Sequence, residues 1–218
     1  MTSQPQRPCA IPPSLFFYSI FYGGMVCIAG VFGNKQVDLG PFAVEAGIFA
    51  FLLIVITSSA MVELHGERRA RLLVLTGFVP LIVSLLLSFF VLALPPSPDM
   101  DPERLKAFQL MMGGTPRIWA GGIIAYGIST MLNVAIFSRI REVEHGRFLW
   151  LRAAVASGLS QAVDTVIFIT IAFYGVFPIG ELMLGQLLAK ITLSLILVPP
   201  LVQLFVSAGR RLDGDSLS

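Results

Sequence analysis

The chain has 218 residues, 56% of them hydrophobic and only 13% charged, with a net charge of +2. A soluble domain carries about 25% charged residues, so the deficit excludes an ordinary water-soluble protein and points to a chain whose main solvent is lipid. The lysines and arginines form no stripe interleaved with aromatics, so no nucleic-acid partner is expected.

Met1 to Pro13 carries one charge and four prolines, with no small-residue cleavage site after a short apolar core. It reads as a cytoplasmic tail rather than a removable signal peptide. The two cysteines, Cys9 and Cys27, are too few for a disulfide framework or a metal cluster and read as inert thiols.

Crossing a bilayer core of about 30 Å takes about 20 apolar residues. Six runs qualify: Leu15 to Gly33, Phe42 to Val62, Leu72 to Leu94, Arg117 to Ser138, Ala153 to Gly175 and Ile179 to Val206. The fold class is therefore all-α, a polytopic membrane protein forming one integral domain over 1–218. Asn34-Lys35 reads as a turn with an interface anchor after the first span.

Basic residues collect in alternate connections: Arg68, Arg69 and Arg71 after the second run, Arg139, Arg141, Arg147 and Arg152 after the fourth, Arg210 and Arg211 at the end. Positive charge marks the cytoplasmic side, so both termini are expected inside, with 207–218 as a second tail. In the first of these connections, Glu63 is expected to pair with an arginine of its own turn, and His65 reads as solvated.

The longest connection, 95–116, lies outside. Asp101-Pro102 there has the pattern of a helix cap followed by proline at the first helical position, and Leu105, Phe108 and Met112 recur at helical spacing. A short amphipathic helix on the outer surface is expected, ended by Gly113-Gly114.

Six spans divide into two sets of three, and an odd number inverts the second set relative to the first. The middle span of each set carries a polar cluster, Thr57, Ser58, Ser59 and Glu63 against Ser157, Ser160, Gln161 and Asp164. Inverted repeats with a site between them are common in transporters.

The most informative residue is Asp164, near the centre of the fifth run. A charge at mid-membrane costs on the order of 3 kcal/mol, so it needs a partner, a wet cavity or a ligand. Ser157, Gln161, Asp164 and Phe168 share one helical face, and at about 1.5 Å per residue Asp164 lies about 16 Å from the inner end of its run. Lys190 lies about as far beyond the Val176-Phe177 turn, so antiparallel packing brings the two to one depth. Gln186 extends that face by a turn, and Gly122, Tyr126, Ser129 and Asn133 share a face of the fourth run. No phosphate loop, His-Glu-x-x-His or Gly-x-Ser-x-Gly is present, so neither an enzyme nor a metal or other cofactor is expected.

Trp150-Leu-Arg152, Ser160-Gln161-Ala-Val-Asp164-Thr165-Val-Ile-Phe168 and Ala172-Phe173 resemble the signature of the bacterial queuosine precursor transporters, also called the vitamin-uptake-type family. Glu63-Leu-His-Gly66 with Arg69-Ala70-Arg71, Arg117-Ile-Trp119, Ala125-Tyr126, Ser129, Phe137, Lys190 and Asn34-Lys35 extend the likeness over roughly residues 30 to 205. The chain departs from that pattern at Ser59, where the family usually has Asp, and at Thr130 and Asn133, where it usually has Gln and Asp.

The resemblance implies a six-span importer of the bacterial inner membrane that carries the 7-cyano and 7-aminomethyl 7-deazaguanines, purine-like bases, by alternating access. Asp164 would hold the base, with Gln161, Asn133, Lys190, Ser160, Ser129 and Phe168 around it. Glu63, Arg69, Asn34 and Lys35 would serve gating or structure. The alternative is the substrate-binding subunit of an energy-coupling-factor vitamin importer with partner ATPases, which dock through small residues such as Ala29-x-x-x-Gly33. Gly121-Gly122 suits either a homodimer interface or packing within one monomer.

Overall fold

The computed structural model describes residues 11–40, 42–113, 116–144, 148–175 and 179–214. Cys9, Gly114, Arg147 and the Val176-Phe177 turn, named above, lie outside the described residues. The elements run α1 (Pro13–Phe32), β1 (Gln36–Leu39), β2 (Phe42–Glu45), α2 (Gly47–His65), α3 (Glu67–Ala93), α4 (Pro102–Met112), α5 (Pro116–Glu144), α6 (Leu149–Phe173) and α7 (Gly180–Gly214).

Six of these helices, all but α4, are long and apolar enough to span a membrane, with mean hydropathies between 1.5 and 2.5 over their best windows. The surface agrees. On α3, Leu72, Leu75, Val79, Ile82, Val83 and Leu86 point outward, a continuous apolar face that only lipid can solvate.

The bundle is built around α2, which packs against all five other spans. Its residues from Ile54 to Val62 are buried on every side, as a helix apolar all round must be. Small residues permit the close approaches. A side chain at Gly47 would lie 2.9 Å from the Ala29 carbonyl and 3.3 Å from Gly33, so the Ala29-x-x-x-Gly33 step is already filled within this chain. Gly121 likewise packs on Ile171 and the Phe168 carbonyl of α6.

The link between the first two spans holds the main departure from the expected layout. The span predicted from Phe42 begins at Gly47, and the residues before it form an antiparallel hairpin in which Gln36 pairs with Glu45 and Val37 with Val44. Gly40, at φ +64°, supplies the left-handed conformation that the turn needs. β2 packs against α7. The short helix expected in the longest connection forms as α4, with the Asp101 side chain accepting from the Arg104 N–H and Gly113 at its end.

On the inner side, α7 continues past Val206 to Gly214, so 207–214 are helical rather than tail. Its end is tied to the start of the chain. Ser14 donates its N–H and hydroxyl to the two Asp213 carboxylate oxygens at 2.9 and 2.7 Å, and its Oγ lies 2.7 Å from His65 Nε2. The His65 side chain, 5% exposed, is thus covered rather than solvated, because the first and last helices close over it.

Tyr22 of α1 and Tyr126 of α5 meet at 2.9 Å between hydroxyls, and Tyr126 donates to the Val74 carbonyl of α3. A side chain at Gly77 would come within 2.5 Å of the Tyr126 hydroxyl and 2.6 Å of the Tyr22 ring. Overpacking of this kind costs about 1–3 kcal/mol. Gly77→Val is expected to lower the thermal unfolding temperature of the detergent-solubilised protein, whereas Gly122→Ala, where nothing lies within 4 Å of the added carbon, is expected to leave it unchanged.

Candidate functional site

Asp164 and Lys190 meet as α6 and α7 pack side by side. Lys190 Nζ donates to Asp164 Oδ2 at 3.2 Å, and the Ser129 hydroxyl of α5 donates to Oδ1 at 3.2 Å. Both charged residues are buried, at 6% and 8% exposure. A carboxylate has about four lone-pair positions, so two donors leave Asp164 with capacity to accept more.

The pair lies on a cavity of about 340 Å³ bounded by α1, the hairpin, α2, α3, α4, α5, α6 and α7, within the range of about 300–1,000 Å³ usual for small-molecule sites. Asn34 and Gln36 at the α1–hairpin junction and Met111 of α4 line its end beside the hairpin and α4. Its walls are aromatic: Phe51, Trp119, Tyr126, Phe168 and Phe173. Phe168 and Phe173 pack edge to face, 5.9 Å between centroids.

Glu45, near the start of the second apolar run, belongs to this site. It lines the same cavity and faces Lys190, Asp164 and the Gln186 amide. Burial pushes its carboxyl above the usual range; Lys190 opposes this and Asp164 adds to it. The alternation of Val37 and Val44 about Gly40-Pro41 was the signal for the hairpin that brings it there.

The other expected residues divide. Gln161, Asn133 and Ser160 are fully buried and do not reach the cavity wall; they form a sealed polar layer. Asn133 donates to Ser58 and Ser59 of α2, both at 3.0 Å, and Ser160 donates to the Ser157 carbonyl of its own helix. The Gln161 carboxamide oxygen and nitrogen and the Asn133 carbonyl oxygen have no partner among the described residues, which leaves unused hydrogen-bonding capacity in this layer. Two of the positions that depart from the resemblance, Ser59 and Asn133, touch each other here.

The sequence reading paired Glu63 with an arginine of its turn; its partners come from three other helices instead. Arg152 of α6 donates at 2.7 Å, Arg141 of α5 lies at 3.3 Å and Arg210 of α7 at 3.8 Å. Arg152 is completely buried, its guanidinium 5.3 Å from the Phe137 ring centre. Of the turn arginines, Arg71 pairs with Glu67 and Arg69 is exposed. Asn34 bonds back to the Gly30 and Val31 carbonyls, and Lys35 closes the hairpin base by accepting the Ala46 N–H on its backbone carbonyl.

An aromatic-walled cavity floored by a buried ion pair, inside six candidate spans, fits a multi-pass membrane transporter. Residues 45–204 match the family described as "Putative vitamin uptake transporter", and the chain belongs to that family. It is 29% identical over 170 residues to the "Probable queuosine precursor transporter" of Bacillus subtilis (strain 168), covering 76% of this chain and 73% of that one. It is 27% identical over 173 residues to the "Queuosine precursor transporter" of Escherichia coli (strain K12), covering 79% and 72%. No solved structure matches.

Removing one partner of a buried pair costs about 3–5 kcal/mol, against at most about 1 for an exposed one. Glu63→Gln, which leaves Arg152 buried without its carboxylate, is expected to lower stability strongly in detergent unfolding assays. Arg71→Ala, on the exposed surface, is expected to change it by less than about 1 kcal/mol.

Proposed function

We propose that this protein imports 7-cyano- and 7-aminomethyl-7-deazaguanine, precursors of queuosine, across the bacterial inner membrane by alternating access. The observation that carries the reading is the carboxylate of Asp164 at the floor of an aromatic-walled cavity. The ring N1–H and 2-amino group of a guanine-like base present two adjacent donors, which suit the spare lone pairs of one carboxylate. Phe168, Phe173 and Trp119 offer faces for the ring to stack on. The names of the two bacterial relatives support the same substrate class.

In this reading the structure stands in the outward-open state. The Glu63 network with Arg141, Arg152 and Arg210 closes the cytoplasmic end, and the layer of Asn133, Gln161, Ser58 and Ser59 lies between gate and floor. Its unpaired amide atoms give the base hydrogen-bonding partners once the outer mouth closes and the layer opens. The small-residue step that a coupling ATPase complex would use is occupied by Gly47, which favours a self-sufficient transporter over a subunit of an energy-coupling-factor importer.

Either base added to the purified protein is expected to raise its thermal unfolding temperature, and Asp164→Asn is expected to abolish that rise while the unliganded variant still unfolds cooperatively. Absence of stabilisation by both bases would remove the assigned substrate.

A further inference from the structure

The cavity wall carries a third charged residue, Glu45, that recognition of the base edge does not use. Glu45, Asp164 and Lys190 are the charged groups among the described residues lining it. Lys190 is held by Asp164 at 3.2 Å, so the set of two carboxylates and one ammonium is formally one negative charge in excess. An apolar surrounding makes that excess costly and a cationic ligand favourable.

A second observation points the same way. Gln186 of α7 is buried, at 3% exposure, its amide is hydrogen-bonded to Glu45, and its carbonyl oxygen has no partner among the described residues. Glu45 thus offers its carboxylate to the cavity, and the Gln186 carboxamide behind it holds an unused acceptor. An ammonium group carries three donors and no acceptor, whereas a nitrile has no donor to offer either residue.

We propose that Glu45, with Gln186 beside it, selects substrates bearing a cationic side group, receiving the ligand's ammonium while Asp164 holds the ring edge. This deepens the reading of the cavity as a 7-deazaguanine site and rests on it. Glu45 is carried by the hairpin rather than a spanning helix, so the element that shapes the mouth also sets the charge preference. The groups facing the Glu45 carboxyl are Asp164, Lys190 and Gln186. Burial holds its proton on to higher pH than usual, so a cation binds in exchange for that proton. Affinity for a cationic ligand then rises as pH increases through the Glu45 titration, which lies above the usual carboxylate range, while affinity for a neutral one does not.

The test is titration of the full-length purified protein with 7-aminomethyl-7-deazaguanine and, separately, with 7-cyano-7-deazaguanine, in wild type, Glu45→Gln and Glu45→Asp. Wild type is expected to prefer the aminomethyl base by about tenfold or more. Glu45→Gln lowers affinity for the aminomethyl base by about tenfold more than affinity for the cyano base and removes the pH dependence of the preference; Glu45→Asp keeps part of the preference. An equal loss for both ligands, or a preference that survives in Glu45→Gln, would overturn the proposal while the base site stood. Binding of neither base to wild type would instead overturn the functional reading itself.

Discussion

Asp164 and Lys190 face each other at 3.2 Å, both buried, inside a bundle of six helices long and apolar enough to span a membrane. That single contact constrains the rest. It fixes the depth at which α6 and α7 cross, it draws Ser129 of α5 to the free carboxylate oxygen, and it requires a polar cavity on one side. A buried pair contributes little net stability over well-packed apolar residues. Its persistence at the floor of a 340 Å³ cavity is therefore better explained by what enters the cavity than by what the pair does for the fold.

From the hairpin end of the cavity to the Glu63 network, polar groups form a column through the bundle. The hairpin end has Asn34, Gln36 and Glu45; the floor has Asp164, Lys190 and Ser129; the sealed layer has Gln161, Asn133, Ser58 and Ser59; the far end has Glu63 with its arginines. Around the column the helices are apolar, and α2 runs through the middle in contact with every other span. Residues from both sets of three spans meet in the sealed layer and in the Glu63 network, whereas Asp164, Lys190 and Ser129 at the floor all come from the second set.

The spans, their number and the Asp164–Lys190 pair were legible in the sequence because each rests on a strong physical signal: long charge-free runs, and charges where charge is expensive. The short helix α4 was legible from one capping aspartate and one proline. What escaped was set by tertiary packing. Five residues of the hairpin's second strand and junction were absorbed into an apolar run, because Phe42, Ala43 and Val44 suit helix or strand alike on hydropathy. His65 looked solvated because nothing local predicts that Ser14 and Asp213, 199 positions apart, close over it. Glu63 found arginines on three other helices rather than in its own turn for the same reason. Gln161 and Asn133 share faces with cavity residues, yet helical periodicity gives direction and not depth, and they lie beneath the floor.

The most direct measurement is uptake of a labelled 7-deazaguanine precursor by cells that depend on this protein for it, comparing wild type with the double variant Asp164→Leu, Lys190→Met. If the pair forms the substrate site, the variant reaches the membrane and unfolds at or above the wild-type temperature but carries no label. Uptake at the wild-type rate by the double variant would contradict the account and reduce the pair to a tie between two helices.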